Sequence, residues 1–256
     1  DMHNVAVGYE AGHDITTGQY NTLIGNLAGD KVTTGAENVA LGYSALGSED
    51  TGSYSIAIGS GALGAQDAGT AAVYNVAIGY AAGAAVTTGT HNVLLGGQAA
   101  DTLTTGSRNI AIGRKALQSE DSGGRNIAIG YQALYAQDAG TDAYNVAIGY
   151  DAGVAVTTGI KNTLIGSLAG DALTTGSYNI AIGYEALTTE DGNGSSTAIG
   201  YRALKNQNAG AESYNVAVGH DAGQSVTTGI RNTLVGGLAG DAITTGNYNV
   251  ALGYTA

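Results

Sequence analysis

A single five-residue word, recurring at fixed spacing, limits what this chain can fold into. N-x-[AL]-[VIL]-G begins at Asn4, Asn21, Asn38, Asn75, Asn92, Asn109, Asn126, Asn145, Asn162, Asn179, Asn215, Asn232 and Asn249. Ser55 and Ser196 take the Asn place in two further copies, making fifteen. Successive copies start seventeen positions apart, as Asn4 and Asn21 do, except after every fourth copy, where the step is twenty, nineteen and nineteen. Four copies therefore form a larger period, with superrepeats at 4–74, 75–144, 145–214 and a partial one at 215–256. Helical repeats are about twice as long or more, so a period of seventeen does not describe them.

Counting the Asn as position zero, each column has one physical character. Position one is Val, Ile or Thr, all β-branched and suited to strands. Position three is aliphatic, position four is Gly and position seven is Ala in every copy. Position fourteen is Gly except at Asn193, and Gly and Asn share access to positive φ, so this column reads as a turn. One short β-branched run per repeat predicts an all-β parallel β-solenoid (a β-roll) of about fifteen coils, each stacked ~4.8 Å above the last. Such a stack would extend on the order of 70 Å as a single repetitive segment over 1–256. The opening Asp1-Met2-His3 and the partial last superrepeat suggest a piece of a longer fibre protein.

Composition removes most other classes. The chain has 43 Gly but no Pro, Cys, Trp or Phe, and shows no Gly-X-Y period, so collagen is excluded. A 43% hydrophobic content argues against disorder. Without Cys there are neither disulfides nor thiolate metal sites. A net charge of -12 makes nucleic acid an unsuitable partner. No apolar run approaches the ~20 residues of a membrane span.

Strand alternation separates positions one and three from the Asn, position two and the Gly. The natural expectation puts the aliphatic ladder inside and the small face outside, Ala or, in second coils, Leu23, Leu94, Leu164 and Leu234. An apolar outward stripe exceeds what a soluble monomer exposes, so sister copies are expected to cover it, most simply as a homotrimer. A thin monomer with both faces internal is the competing arrangement. The Asn column is expected to form an amide ladder, each side chain donating to the next coil. Tyr flanks the word on both sides, as at Tyr150 and Tyr144, and suits half-exposed positions.

The columned word N-x-A-I-G-x-x-A resembles the head repeat of trimeric autotransporter adhesins (YadA-like heads). The fuller string from Asn145 to Gly159 looks like repeats of bacteriophage tail-fibre proteins. The resemblance covers essentially the whole chain. It implies a left-handed parallel β-roll, three chains side by side, and an extracellular attachment role on a virion tail fibre or bacterial cell surface. A host-surface receptor or glycan would then be the partner. The coils here are longer than those typical of such heads, the extra residues lying around the TTG triplet.

Little chemistry stands out, and no enzyme is expected. His3, His13, His91 and His220 are scattered without metal-ligand spacing. No Ser lies in G-x-S-x-G, and no dinucleotide or phosphate loop is present. One acidic cluster departs from the average: Glu49-Asp50, Glu120-Asp121 and Glu190-Asp191 in third coils, with Asp67, Asp138 and Asn208 in the next coil. Stacked carboxylates repel unless bridged, which makes Glu49, Asp50, Asp67, Glu120, Asp121 and Asp138 candidate calcium ligands. A solvated acidic loop is the plainer reading, and no other cofactor is expected. TTG recurs eight times, in first and second coils only. Threonine arrays on a flat solenoid can bind ice, so a monomeric ice-binding solenoid is the alternative function.

Overall fold

The computed structural model describes residues 2–69 and 72–256. Among these residues it is all β: fifteen three-residue strands, one per repeat copy, with parallel pairing between consecutive strands within each of two compact units. The first compact unit comprises residues up to Asn126 with Gly140–Asp142. It contains β1 (Val5–Val7), β2 (Thr22–Ile24), β3 (Val39–Leu41), β4 (Ile56–Ile58), β5 (Val76–Ile78), β6 (Val93–Leu95) and β7 (Ile110–Ile112). The second comprises Ile127–Ala139 and Ala143–Ala256. It contains β8 (Ile127–Ile129), β9 (Val146–Ile148), β10 (Thr163–Ile165), β11 (Ile180–Ile182), β12 (Thr197–Ile199), β13 (Val216–Val218), β14 (Thr233–Val235) and β15 (Val250–Leu252).

Register follows the sequence columns. Val5, Ala6 and Val7 stand over Thr22, Leu23 and Ile24, and the same holds across the longer coil, where Ile56, Ala57 and Ile58 stand over Val76, Ala77 and Ile78. The chain is thus a β-solenoid with one coil per repeat copy, as the period predicts. Backbone bonds join the coils away from the strands too, for instance Gly12 N–H to the Ala28 carbonyl at 3.0 Å and Thr16 N–H to Thr33 at 2.9 Å. Polar backbone is therefore satisfied around the whole turn rather than at the strand alone.

The two faces of the strand lie opposite to the expectation. Position two is fully buried from Leu23 to Leu234, and so is nearly every Asn, whereas positions one and three are partly or largely exposed. The reason is space. The Gly at position four has φ near +135°, and a Cβ on Gly25 would lie 2.5 Å from the Gly42 carbonyl oxygen. Across a single coil, a Cβ on Gly29 would lie 2.8 Å from Leu23 Cδ2, so the facing walls leave a thin interior that takes Ala readily and Leu only where the residue opposite is small.

That constraint explains the four-coil superperiod. In second coils Leu at position two fills the interior, and the residue facing it is Gly29, Gly170 or Gly240, or Ala100 in the second superrepeat: a Cβ on Gly170 would meet Leu164 Cδ2 at 2.8 Å. In third and fourth coils position two is Ala, and the Leu comes from position eight instead, as Leu46, Leu63, Leu117, Leu134, Leu187 and Leu204, all fully buried. In first coils both positions are small, as at Ala147 and Gly153, and Leu side chains of the adjoining coils reach over the gap: a Cβ on Gly153 would lie 2.6 Å from Leu164 Cδ1 and 3.2 Å from Leu134 Cδ2. Large and small side chains thus alternate to keep the density of a protein interior.

Position fourteen does not behave as a positive-φ turn in the shorter coils. Gly69, Gly140 and Gly210, in the long coils, have φ of 56°, 65° and 68°, but Gly35 and Gly159 do not lie in that region. Gly is needed there for close approach, since a Cβ on Gly35 would lie 2.3 Å from the Gly52 oxygen. The left-handed conformation falls instead on the residue before each Asn, from His3 through Tyr20, Glu37 and Lys161 to Tyr248.

Candidate functional site: the aliphatic strand face and its borders

The interior is chemically closed. Each Asn side chain closes its own coil and receives the next one: Asn21 Nδ2 donates to the Gly35 carbonyl at 2.8 Å, and Asn21 Oδ1 accepts the Asn38 N–H at 3.0 Å. The pattern repeats at Asn162, which donates to Gly176 at 2.9 Å and accepts from Asn179 N–H at 2.9 Å. The expected ladder exists, but its regular inter-coil donor is the backbone N–H; the side-chain amide donates between coils at Asn92 to Asn75 Oδ1, 3.3 Å, and at Asn249 to Asn232 Oδ1, 2.9 Å.

The third- and fourth-coil acidic residues divide between inside and outside. Glu49, Glu120 and Glu190 are fully buried. Glu49 accepts from Gly52 N–H at 2.6 Å and from Gln66 Nε2 at 2.7 Å, and Gln66 Nε2 also donates to Ser55 Oγ at 2.9 Å. Gln66 Oε1 in turn accepts from Asn75 Nδ2 at 2.8 Å. Gln207 repeats this role among Glu190, Ser196 and Asn215. In the second superrepeat Glu120 accepts from Gly123 N–H at 2.7 Å, and Gln137 accepts from Asn145 Nδ2 at 2.6 Å. Burial pushes the Glu49 carboxyl above its ordinary range, opposed by these donors and reinforced by nearby Asp67.

Asp50 and Asp121 face outward and accept from the hydroxyls of Thr33 and Thr104, while Asp67 and Asp138 are exposed. The candidate calcium ligands Glu49, Asp50, Asp67, Glu120, Asp121 and Asp138 are thus parted by the coil wall. Among the described residues no three such side chains form a cation-sized group. The TTG triplets are also partly engaged: the first Thr hydroxyl donates to the next coil, as from Thr87 to the Thr104 carbonyl at 3.2 Å and from Thr157 to Thr174 at 3.2 Å. The second Thr of each pair is exposed.

What remains open is the outward strand face. In the first compact unit it carries Val5, Val7, Ile24, Val39, Leu41, Ile56, Ile58, Val76, Ile78, Val93, Leu95, Ile110 and Ile112, broken only by Thr22. Ile78 is 41% exposed and Leu41 43%. At about 50 Å² a side chain, the fourteen together expose roughly 700 Å², beyond the few hundred Å² typical of soluble monomers. The second compact unit presents an equivalent face on β8–β15, with Thr163, Thr197 and Thr233 among aliphatics.

Rings border this face on both sides. Before the strand, Tyr54 stacks on Tyr74 at 5.0 Å, and His3 on Tyr20 at 5.3 Å. Lys161 sits 5.1 Å from the Tyr178 ring, and Arg231 lies 5.9 and 5.4 Å from Tyr214 and Tyr248. After the strand, Tyr131 stacks on Tyr150 at 5.4 Å, Tyr184 on Tyr201 at 5.6 Å, and Tyr201 on His220 at 4.8 Å. An apolar centre with a ring of amphipathic aromatics is the composition of a protein–protein contact surface. Sequence reasoning identified the tyrosine borders and an apolar outward stripe, but assigned the wrong column to it.

Among the described residues no helix is long and apolar enough to cross a membrane. No family model matches the chain, and neither curated proteins nor solved structures give a match.

Proposed function

We propose that this chain is a structural segment of an extracellular attachment fibre, a phage tail fibre or bacterial surface adhesin, in which three copies associate through their aliphatic strand faces. The observation that carries this reading is the pair of outward, mostly aliphatic columns at positions one and three, interrupted by four threonines and partly or largely exposed along the strands of each compact unit. Isolated surface aliphatics need no explanation, but a contiguous stripe of them does. A copy of the same chain is the fitting cover, because its stripe has the same coil spacing and lets side chains interdigitate coil by coil. The mechanism is mechanical: stacked coils form a stiff support, with stability built from coil-to-coil terms. Among outward residues, the changes that distinguish one coil from another lie largely on the bordering columns, where recognition of a host surface would occur.

Light scattering on the purified chain tests the assembly. A particle of three times the chain mass of 25.3 kDa supports it. A stable 25.3 kDa monomer at micromolar concentration overturns it. Such a monomer would also direct attention to the exposed second threonines and a thermal-hysteresis assay.

A further inference from the structure

The tyrosine column after the strand is interrupted in a regular way. In the second coil of each superrepeat the ring position is held by Asn26, Gly97, Ser167 or Gly237. Around Ser167 the interruption is flanked by complete ring pairs, Tyr131 on Tyr150 below and Tyr184 on Tyr201 above. Tyr150 and Tyr184 are 54% and 43% exposed. Two coil steps separate them, roughly 10 Å, so a ring placed between would sit about 5 Å from each. That matches the 5.4 and 5.6 Å at which the column's own rings stack. On that spacing the Ser167 position is an open notch with room for one ring between the flanking aromatic faces, not an enclosed cavity.

The rim narrows the chemistry. Asp151 and Glu185 each engage the phenol of the tyrosine before them, and Asp171 lies close enough to both to feel their charge. Lys205 pairs with Glu185, and Arg202 lies between Glu185 and Asp221 at 3.9 and 3.7 Å, so two cations face four carboxylates and Asp151 and Asp171 remain as surplus negative charge. Aromatic walls suit the C–H face of a sugar ring, and carboxylates accept its hydroxyls, whereas an anionic ring would be repelled. Asn26, between Tyr9 and Tyr43, keeps part of the arrangement in the first superrepeat: Glu10 lies beside Tyr9 and Asp30 holds the Asp171 column, while Ser44 stands where Glu185 does and Lys31 pairs with Asp30 at 3.8 Å. The gap at Ser60, between Tyr43 and Tyr80, has Ser44, Gly61 and Ala81 at the corresponding rim positions and no carboxylate among them.

We infer that the missing-ring slots at Asn26 and Ser167 bind neutral pyranose rings, stacked between Tyr9 and Tyr43 and between Tyr150 and Tyr184. This rests on the attachment reading and gives it a ligand class. Saturation-transfer NMR tests it on the full chain, with methyl α-glucopyranoside, methyl β-galactopyranoside and methyl α-mannopyranoside as probes, and a methyl sialoside as the anionic comparison. Tyr occupies this column in eight other coils, so Asn26→Tyr/Ser167→Tyr completes the ladder without altering the fold. The expected result is transfer to at least one neutral glycoside, none to the sialoside, a tenfold or greater loss in the double variant, and no change in Ser60→Tyr. Absent transfer to all three neutral glycosides, transfer undiminished by the double variant, an equal sialoside signal, or loss in Ser60→Tyr overturns the inference. A trimer-sized particle without glycoside signal removes the slots alone, while a monomer that does bind removes the trimer alone.

Discussion

Adjacent residues on β11 should respond oppositely to the same substitution. Ile180 is 38% exposed and points outward; Ala181 is fully buried. In a free chain Ile180→Asp places a carboxylate in water and should cost under about 0.5 kcal/mol, as surface changes do. In the proposed trimer the same carboxylate is buried in a contact between copies. Each copy then loses about 1.5 kcal/mol of apolar burial, from ~60 Å² at about 25 cal/mol/Å². Leaving a charge unpaired adds roughly 2–3 kcal/mol more per copy, even after relaxation. Over three copies this amounts to about 12 kcal/mol, or nearly nine decades in association constant. Light scattering should therefore report a 25.3 kDa species that keeps its β circular dichroism. Ala181→Asp should abolish that β signal, because the carboxylate would enter the coil interior. A trimer that tolerates Ile180→Asp, or a folded Ala181→Asp, would refute the assignment of the two faces.

Other expectations follow from the interior. Gly166→Ala drives a Cβ to 2.5 Å from the Gly183 oxygen at φ +133°, and a loss of about 3 kcal/mol or more is expected in chemical denaturation. Asn162→Ala strands the Gly176 carbonyl and the Asn179 N–H, each otherwise bonded at 2.9 Å, and should cost about 2–4 kcal/mol by the same assay. Glu37→Gly relieves a left-handed residue at φ 57° and should raise the midpoint, by up to about 1 kcal/mol after the entropy of Gly is deducted. The buried Glu49 carboxyl is held above its ordinary range by desolvation, so its stabilising contribution is complete below about pH 4 and declines as pH rises through the raised value. Denaturation across the range from about pH 4 to about pH 8 should accordingly show Glu49→Gln gaining on the native chain as pH increases; parallel profiles would refute this.

The period and the strand positions were readable directly from fifteen near-identical words; a rung of two repeats would fit the same period, and the pairing of consecutive copies, as of Val5–Val7 with Thr22–Ile24, is what selects one repeat per coil. The side of the strand that faces inward was not readable. Ranking side chains by size puts Val and Ile inside, but here interior width governs: a Cβ on Gly170 would already lie 2.8 Å from Leu164 Cδ2 on the facing wall, so two bulky columns do not fit. The buried Asn column carried the missing signal. An amide that must reach a carbonyl fourteen positions on, as Asn21 reaches Gly35, has to cross the inside of the coil. The split of Glu49 from Asp50 was hidden for a related reason: Glu49 shares position eleven with Val32 and Leu103, an apolar column that only its alignment with Gln66 and Glu120 reveals as mixed.

The glutamine at position eleven of each fourth coil has a consequence for how such a chain can lengthen. Gln66 and Gln207 bond the Glu behind them, the Ser of their own coil and the Asn of the coil ahead, so the wall is sealed where the extra two or three residues leave it. Loop length outside that seal is uncoupled from packing inside. Insertions at 67–72, 138–142 and 208–212 should consequently be accepted at several sizes, giving a rigid scaffold periodic positions at which new surface can be mounted without disturbing the stack.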